Sequence, residues 1–496
     1  MGKTAAFRLI ATVAVFAIGS KLWGQTHAGN TSEDRQKIEA VDRAIRERVN
    51  PGTVPSIALS VVRHGKVLFE SGYGLADREK RVPATPNTPY YVASVTKAFT
   101  GTSLIILEAE HKIDLDLPVN GYLQSAKLRS PMWNVSEATV RRVADHTAGL
   151  TTYDRSCLVG DVDCQVSTEV AIERYGVVFW PPGERFDYSN LGYGVLGQVI
   201  SNVSGQSFSE FLEDHIFGPL EMKNCHLSET GDIRTGSAAN YDDSRALRSP
   251  LRVSDTPAAS SARCSAHDLA IFGSFVLGEP VRGQKEVLSK GRLRELLYTD
   301  SASAGHRYSF GWEENTVEGH VGVVVQGGTE DSSAAIQLIP DAGLSIAVVS
   351  NGSTRAPLEI ANAIVAKLLP PKGGSSSTTN NTVRKEPRSE QMFGRWTGTV
   401  QTWKGSIPLV ISISSNSIQA GVGQNAVLSP CQKPDVGNAQ VYCVMRGDLK
   451  TPDVPAPPYN IELELHFRQG ILFGAATAVS DRVELPYWVK LTRENR

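Results

Sequence analysis

Three short stretches of this chain carry the groups that acyl transfer requires. In Ser94-Val95-Thr96-Lys97 a hydroxyl and an amine lie three residues apart. If the stretch opens a helix, the two share a face and can touch. Serine is a poor nucleophile until a base takes its proton. Lysine serves as that base when part of its population is neutral, and both a helix start and burial disfavour its ammonium form. In Tyr188-Ser189-Asn190 the phenol is expected to relay a proton to a leaving group, and Asn190 offers a donor and an acceptor to a substrate amide. In Gln326-Gly327-Gly328-Thr329 the glycines suit a strand that a ligand approaches closely. Gln326, Gly327 and Gly328 are expected to orient substrate, and the backbone N–H groups of Ser94 and Thr329 to hold an oxyanion.

Each stretch needs an element to position it. Turn-rich Pro83–Pro89 and the short strand at Tyr90-Tyr91-Val92 lead into a helical pattern over 94–110. Pro181-Pro182-Gly183-Glu184 and Phe186 precede Tyr188, and a long helical pattern follows over 191–215, interrupted at Ser204-Gly205. Val323-Val324-Val325 feeds the third stretch, which therefore reads as strand. Around these lie an amphipathic helix at 34–49, a hairpin at 56–71 turning at His64-Gly65, two strands at 320–350 separated by Asp341-Ala342-Gly343, and a helix at 355–369.

The whole-chain figures bound the function. At about 150 residues per domain, 496 residues allow two or three domains. Lys and Arg total 50 against 52 Asp and Glu, which leaves no basic excess for nucleic acid. No run of 18 apolar residues occurs, so no integral membrane domain is expected. Residues 1–28, with Lys3 and Arg8 before the apolar run Leu9–Ile18, read as a signal peptide cleaved after Gly24 or Ala28, or else kept as an anchor. Export to the periplasm or beyond suits the six cysteines. Of the 15 possible connectivities, proximity favours Cys157 with Cys164 and Cys431 with Cys443, leaving Cys225 with Cys264. No Cys/His spacing suggests zinc, and neither metal nor cofactor is expected. Residues 370–389, rich in Pro, Gly, Ser, Thr and Asn, read as a flexible linker. Short alternating segments over 390–496 then predict a small all-β barrel or sandwich.

The three stretches in this order, with ADHTAGL at 144–150, SARCSAHDLAIFG at 261–273 and YSFGW at 308–312, make the chain similar to the serine β-lactamase-related hydrolases. That group joins class C β-lactamases, D-alanyl-D-alanine carboxypeptidases, esterases and D-aminopeptidases. The resemblance covers roughly residues 35–369. It implies an α/β (α+β) fold of the β-lactamase and penicillin-binding-protein kind, an antiparallel sheet flanked by helices plus a helical subdomain, over 29–369. The tail, opening on Gly394-Arg395-Trp396-Thr397-Gly398, resembles the lipocalin-like barrels appended to some members. The implied activity is hydrolysis of an ester, an amide or a short peptide through an acyl-enzyme, with Ser94, Lys97 and Tyr188 catalytic. A β-lactamase or carboxypeptidase proper, and a non-catalytic binding protein on the same scaffold, are the alternatives. One departure bears on substrate. The resemblance implies Lys or His at Gln326, where a cation meets a substrate carboxylate, and His320 lies six residues away. Residues 29–369 are expected to react without the tail, which would cover the cleft or gather protomers.

Overall fold

The structure is a computed structural model, and it describes residues 32–49, 54–159, 166–228, 234–242, 246–247, 252–297, 306–372 and 390–494. The expected signal peptide lies outside the described residues, as do Cys164 and the linker from residue 373 onward.

An eight-stranded antiparallel sheet forms the first half. In spatial order its strands are Val82–Pro83, Lys66–Asp77, Ser56–Arg63, Leu344–Ser350, Ser332–Ile339, His320–Thr329, Trp312–Val317 and Tyr308–Ser309. The first hairpin turns at His64 and Gly65, both with positive φ (48° and 69°), the twist that tight hairpins need. Its strand Ser56–Arg63 is buried on both faces. Ile57, Leu59 and Val61 pack toward the helices Ser32–Arg48 and Ala356–Leu368, while Ala58 and Val62 face the larger core that includes helix Ala266–Val276. A period of two has thus sorted one strand between two helical layers.

The helical subdomain grows from helix Thr96–Ala109, which packs on helix Asn190–Ser204. The pattern over 191–215 divides where Gly205 adopts φ 75°, a left-handed stop. A capping box, Ser207 with Glu210, restarts the helix at Phe208. Cys225 and Cys264 are bridged, and Cys157 is disulfide-bonded.

Residues 394–493 form a nearly closed all-β barrel-like sheet. Each strand pairs with its chain neighbour, and Val483–Arg493 pairs back onto Gly394–Thr402. One seam stays unpaired, between Ser429–Pro430 and Gln432–Gly437. Cys431 sits in that seam with its Sγ 2.6 Å from Cys443 Sγ, so the two cysteines expected to pair lie side by side.

The barrel and the first half share structure. Val483 and Glu484 pair with Arg155 and Asp154 in the strand Asp154–Leu158, which pairs in turn with Arg252–Ser254. Phe179 and Trp180 pack against Phe473 and Trp488 of the barrel. Asp453, 4% exposed, faces Arg155 at 3.6 Å and Arg174 at 3.1 Å. It also accepts from Tyr175 and, at 2.6 Å, from Trp403 Nε1.

Candidate active site

The Ser94 turn is built by its neighbours. Ala93 takes a positive φ of 45°, and Ala93–Val95 form a 3₁₀ turn that runs into the α-helix from Thr96. Thr96 Oγ1 donates to Ala93 O at 2.6 Å and accepts from Ala262 N at 3.0 Å, which ties the turn to the 261–273 stretch. Lys97 follows one turn on, 1% exposed.

Lys97 Nζ donates to Ser94 Oγ at 3.1 Å, to Asn190 Oδ1 at 2.8 Å and to Ala259 O at 3.0 Å. Tyr188 Oη donates to the same Ser94 Oγ at 3.0 Å. Burial pushes the Lys97 ammonium below its usual range, partly opposed by Tyr188. Ser94, Lys97, Tyr188 and Asn190 therefore converge as expected. Asn190 Oδ1 accepts from Lys97, which leaves its NH₂ and the second lone pair of that oxygen to face substrate.

The third stretch lies beside them on the strand His320–Thr329, paired with Ser332–Ile339. A Cβ at Gly327 would stand 2.1 Å from Val92 O and 2.8 Å from Ser94 N, so only glycine lets the strand approach the serine turn this closely. Gln326 and Gly328 are exposed toward the cleft. Thr329 carries its hydroxyl to Asp331 Oδ1 at 2.6 Å and lines the cleft on both sides. His320, at the far end of the strand, is 4% exposed and bonds Pro370 O at 2.9 Å, remote from the site.

Ser94 opens onto two cavities. One, of about 740 Å³, includes Tyr188, Tyr308, Gln326 and Arg355. The other, of about 410 Å³, includes Tyr91, Asn190, Asp154 and the barrel turn Ser480–Glu484. Gly328 and Thr329 border both.

Three contributors were not singled out in the sequence. His146, inside ADHTAGL, is 3% exposed and accepts from Ser189 N through Nδ1 at 3.1 Å. Its ring lies 4.4 Å from that of Tyr188, and burial beside Lys97 pushes its pKa well below the usual histidine range. The buried, positive-φ position of this histidine carries no sequence signal beyond its place in that stretch. Arg355 caps the helix Ala356–Leu368 and reaches the larger cavity. The barrel turn arrives from almost 400 residues away, and no local pattern announces it.

The family model described as Beta-lactamase matches residues 41–369. Protein flp of Staphylococcus aureus (strain MW2) is 29% identical over 327 residues, 65% of this chain and 64% of that protein. The chain thus spans under two thirds of that relative's length. Unguisins hydrolase ungD' of Aspergillus campestris is 23% identical over 325 residues, 62% of this chain and 60% of that one. Among solved structures, the octameric penicillin-binding protein homologue from Pyrococcus abyssi superposes with a TM-score of 0.56 at 22% identity. It covers 92% of this chain and 100% of its own, so the likeness in fold takes in the barrel.

Proposed function

The chain belongs to the beta-lactamase family, and from that premise we propose that it is an exported serine hydrolase that cleaves an ester or amide through an acyl-enzyme on Ser94. The observation that carries this reading is the convergence of Lys97 Nζ and Tyr188 Oη on Ser94 Oγ, at 3.1 and 3.0 Å. Ser94 Oγ attacks the carbonyl as neutral Lys97 takes its proton. The oxyanion rests on the backbone N–H groups of Ser94 and Thr329. Tyr188 gives its proton to the departing oxygen or nitrogen, and Lys97 returns one to Tyr188, so the serine proton leaves with the alcohol or amine. Water then attacks the acyl-enzyme by the same relay in reverse, releasing the acid and restoring Ser94. Export rests on the character of residues 1–28.

Esters and simple amides are favoured over lactams. Gln326 supplies no charge to a substrate carboxylate, and a charge-assisted bond is about twice as strong as a neutral one. A fluorophosphonate probe tests the core of the reading. Mass spectrometry should find the label on the peptide that carries Ser94, and Ser94→Ala should lose both label and hydrolysis. A label on another serine would overturn it. A panel of p-nitrophenyl esters, D-amino acid amides and nitrocefin tests the finer part. Efficient nitrocefin turnover by the unmodified enzyme would overturn the preference for esters.

A further inference from the structure

The stretch that delivers Tyr188 has no regular element of its own. Neither helix nor strand covers residues 178–189, between the helix Thr168–Tyr175 and the helix Asn190–Ser204. The phenol is anchored on its C-terminal side, where Ser189 Oγ caps the second helix by accepting from Gly192 N at 3.2 Å. On its N-terminal side the chain must be held by side chains. Tyr188 Oη has to stay 3.0 Å from Ser94 Oγ, and a misplacement of about 1 Å at a reacting group can cost on the order of 100-fold in rate.

Those side chains grip the barrel. Arg185 Nη1 donates to Glu464 Oε1 at 3.0 Å and to His466 Nε2 at 3.1 Å. Its Nη2 donates back to Oδ2 of Asp187, the residue directly before Tyr188, at 3.2 Å. Trp180 Nε1 donates to the same oxygen at 2.8 Å, and the Arg185 guanidinium lies 4.5 Å over the Trp180 ring. One planar fork thus ties the loop to itself and to the barrel at once. On the barrel side, the strand Tyr459–Arg468 buries Leu463 and Leu465 and turns Glu464 and His466 outward. Burial pushes the Glu464 carboxyl up, yet its bonds with His466 and Arg185 hold it below the usual glutamate range, so the acceptor is charged at neutral pH. Arg185, Glu464 and His466 border neither cavity at Ser94, so whatever they contribute passes through the loop.

We propose that Arg185 is a positioning residue for the proton donor, and that the barrel strand Tyr459–Arg468 clamps Tyr188 in place through it. The proposal rests on the hydrolase reading above, in which Tyr188 protonates the leaving atom. The barrel is then a working support of the proton relay, although it supplies none of the reacting groups.

Leaving-group dependence tests the clamp on the full chain. Phenyl acetate and p-nitrophenyl acetate deliver the same acyl group. The nitro group lets its phenolate depart without a proton, whereas the plain phenolate leans on the general acid. The ratio of their kcat/KM values reports acylation and cancels any loss of folded enzyme. Arg185→Met keeps the stem and removes the fork. Glu464→Ala with His466→Ala removes the grip from the barrel side. Each should cut kcat/KM for phenyl acetate about tenfold more than for p-nitrophenyl acetate, and Arg185→Lys should recover part of the difference. Built on Tyr188→Phe, Arg185→Met should move the ratio by less than about twofold, because the group it positions is gone. A ratio that stays put in either clamp variant, or that moves as far without the phenol as with it, overturns the proposal. Failure of the hydrolase reading looks different, as loss of fluorophosphonate labelling at Ser94 in the unmodified chain.

Discussion

At the scale of single residues, the proton relay makes two tests available. Burial holds Lys97 below the usual lysine range, and the proposed base is its neutral form. The acid limb of the pH–rate profile should therefore lie below that range, with activity rising as Lys97 loses its proton. Lys97→Arg, which stays charged at every accessible pH, should abolish the limb together with most of the rate. Lys97→Ala and Tyr188→Phe should each remove most of kcat, and the double variant little more, because the groups act as a unit. His146 supports Tyr188 and Asn190 from behind through the amide of Ser189. It is a positioning residue, and two replacements separate its parts. His146→Asn keeps an acceptor for that amide, whereas His146→Phe keeps a ring without one. The Phe variant should lose about 10- to 100-fold in kcat with KM little changed, and the Asn variant should recover part of that loss. Equal losses in both would assign His146 to packing alone. The pairing of Ser94 with Lys97 was legible because helical spacing determines what they can touch, whereas Tyr188 joined them through the resemblance carried by the three stretches in their order. The histidine was not, since its role comes from a fold in the backbone that brings residue 146 under residue 189.

At the scale of elements, the helices and strands that carry the three stretches follow the apolar periods closely. The helix opening differs, because the serine sits in a 3₁₀ turn whose geometry is fixed by Thr96 and Ala262 across space. The joint between the subdomain and the strand Arg252–Ser254 holds a second tertiary feature, the buried pair Tyr153 and Asp255. Desolvation pushes the Asp255 carboxyl up to about 7. Its unfolded value is about 3.9, so the folded chain binds this proton more tightly. Stability should then fall as pH rises from about 4 through 7. Asp255→Asn should remove part of that fall, which urea midpoints measured at pH 5 and pH 8 would reveal. Asp187 and Asp268, both pushed up to about 6 by burial, add a fall of the same sign at slightly lower pH. A variant whose midpoints change with pH as the parent's do would exclude Asp255 as a source.

At the scale of the whole molecule, composition marked two parts and the structure joins them. A linker-like stretch suggests independent units, yet Asp453 takes Arg155, Arg174, Tyr175 and Trp403 onto one buried carboxylate. Arg185, three residues before Tyr188, reaches Glu464 at 3.0 Å and His466 at 3.1 Å. Pairings across hundreds of residues leave no periodic trace, so the sequence showed each part and not their union. Asp453→Ala should cost about 3–5 kcal/mol by leaving Arg155 buried without its partner, read as a lower thermal midpoint. Truncation after Leu369 should expose Phe179 and Trp180 and unseat the strand Asp154–Leu158, so the shortened chain should bind an apolar dye and label at Ser94 more slowly. Full labelling with no dye binding would restore the view of a self-sufficient first half. The shared strand also sets an order in time. Ser94 leaves the ribosome on the order of 400 residues before Glu484, and at roughly 5–20 residues per second that is an interval of about 20 to 80 seconds. Through that interval the nascent chain holds Ser94 without the strand pairing and barrel turn that complete one of its two cavities, so a ribosome stalled before residue 480 should carry a serine that a fluorophosphonate labels as slowly as it labels the chain truncated after Leu369.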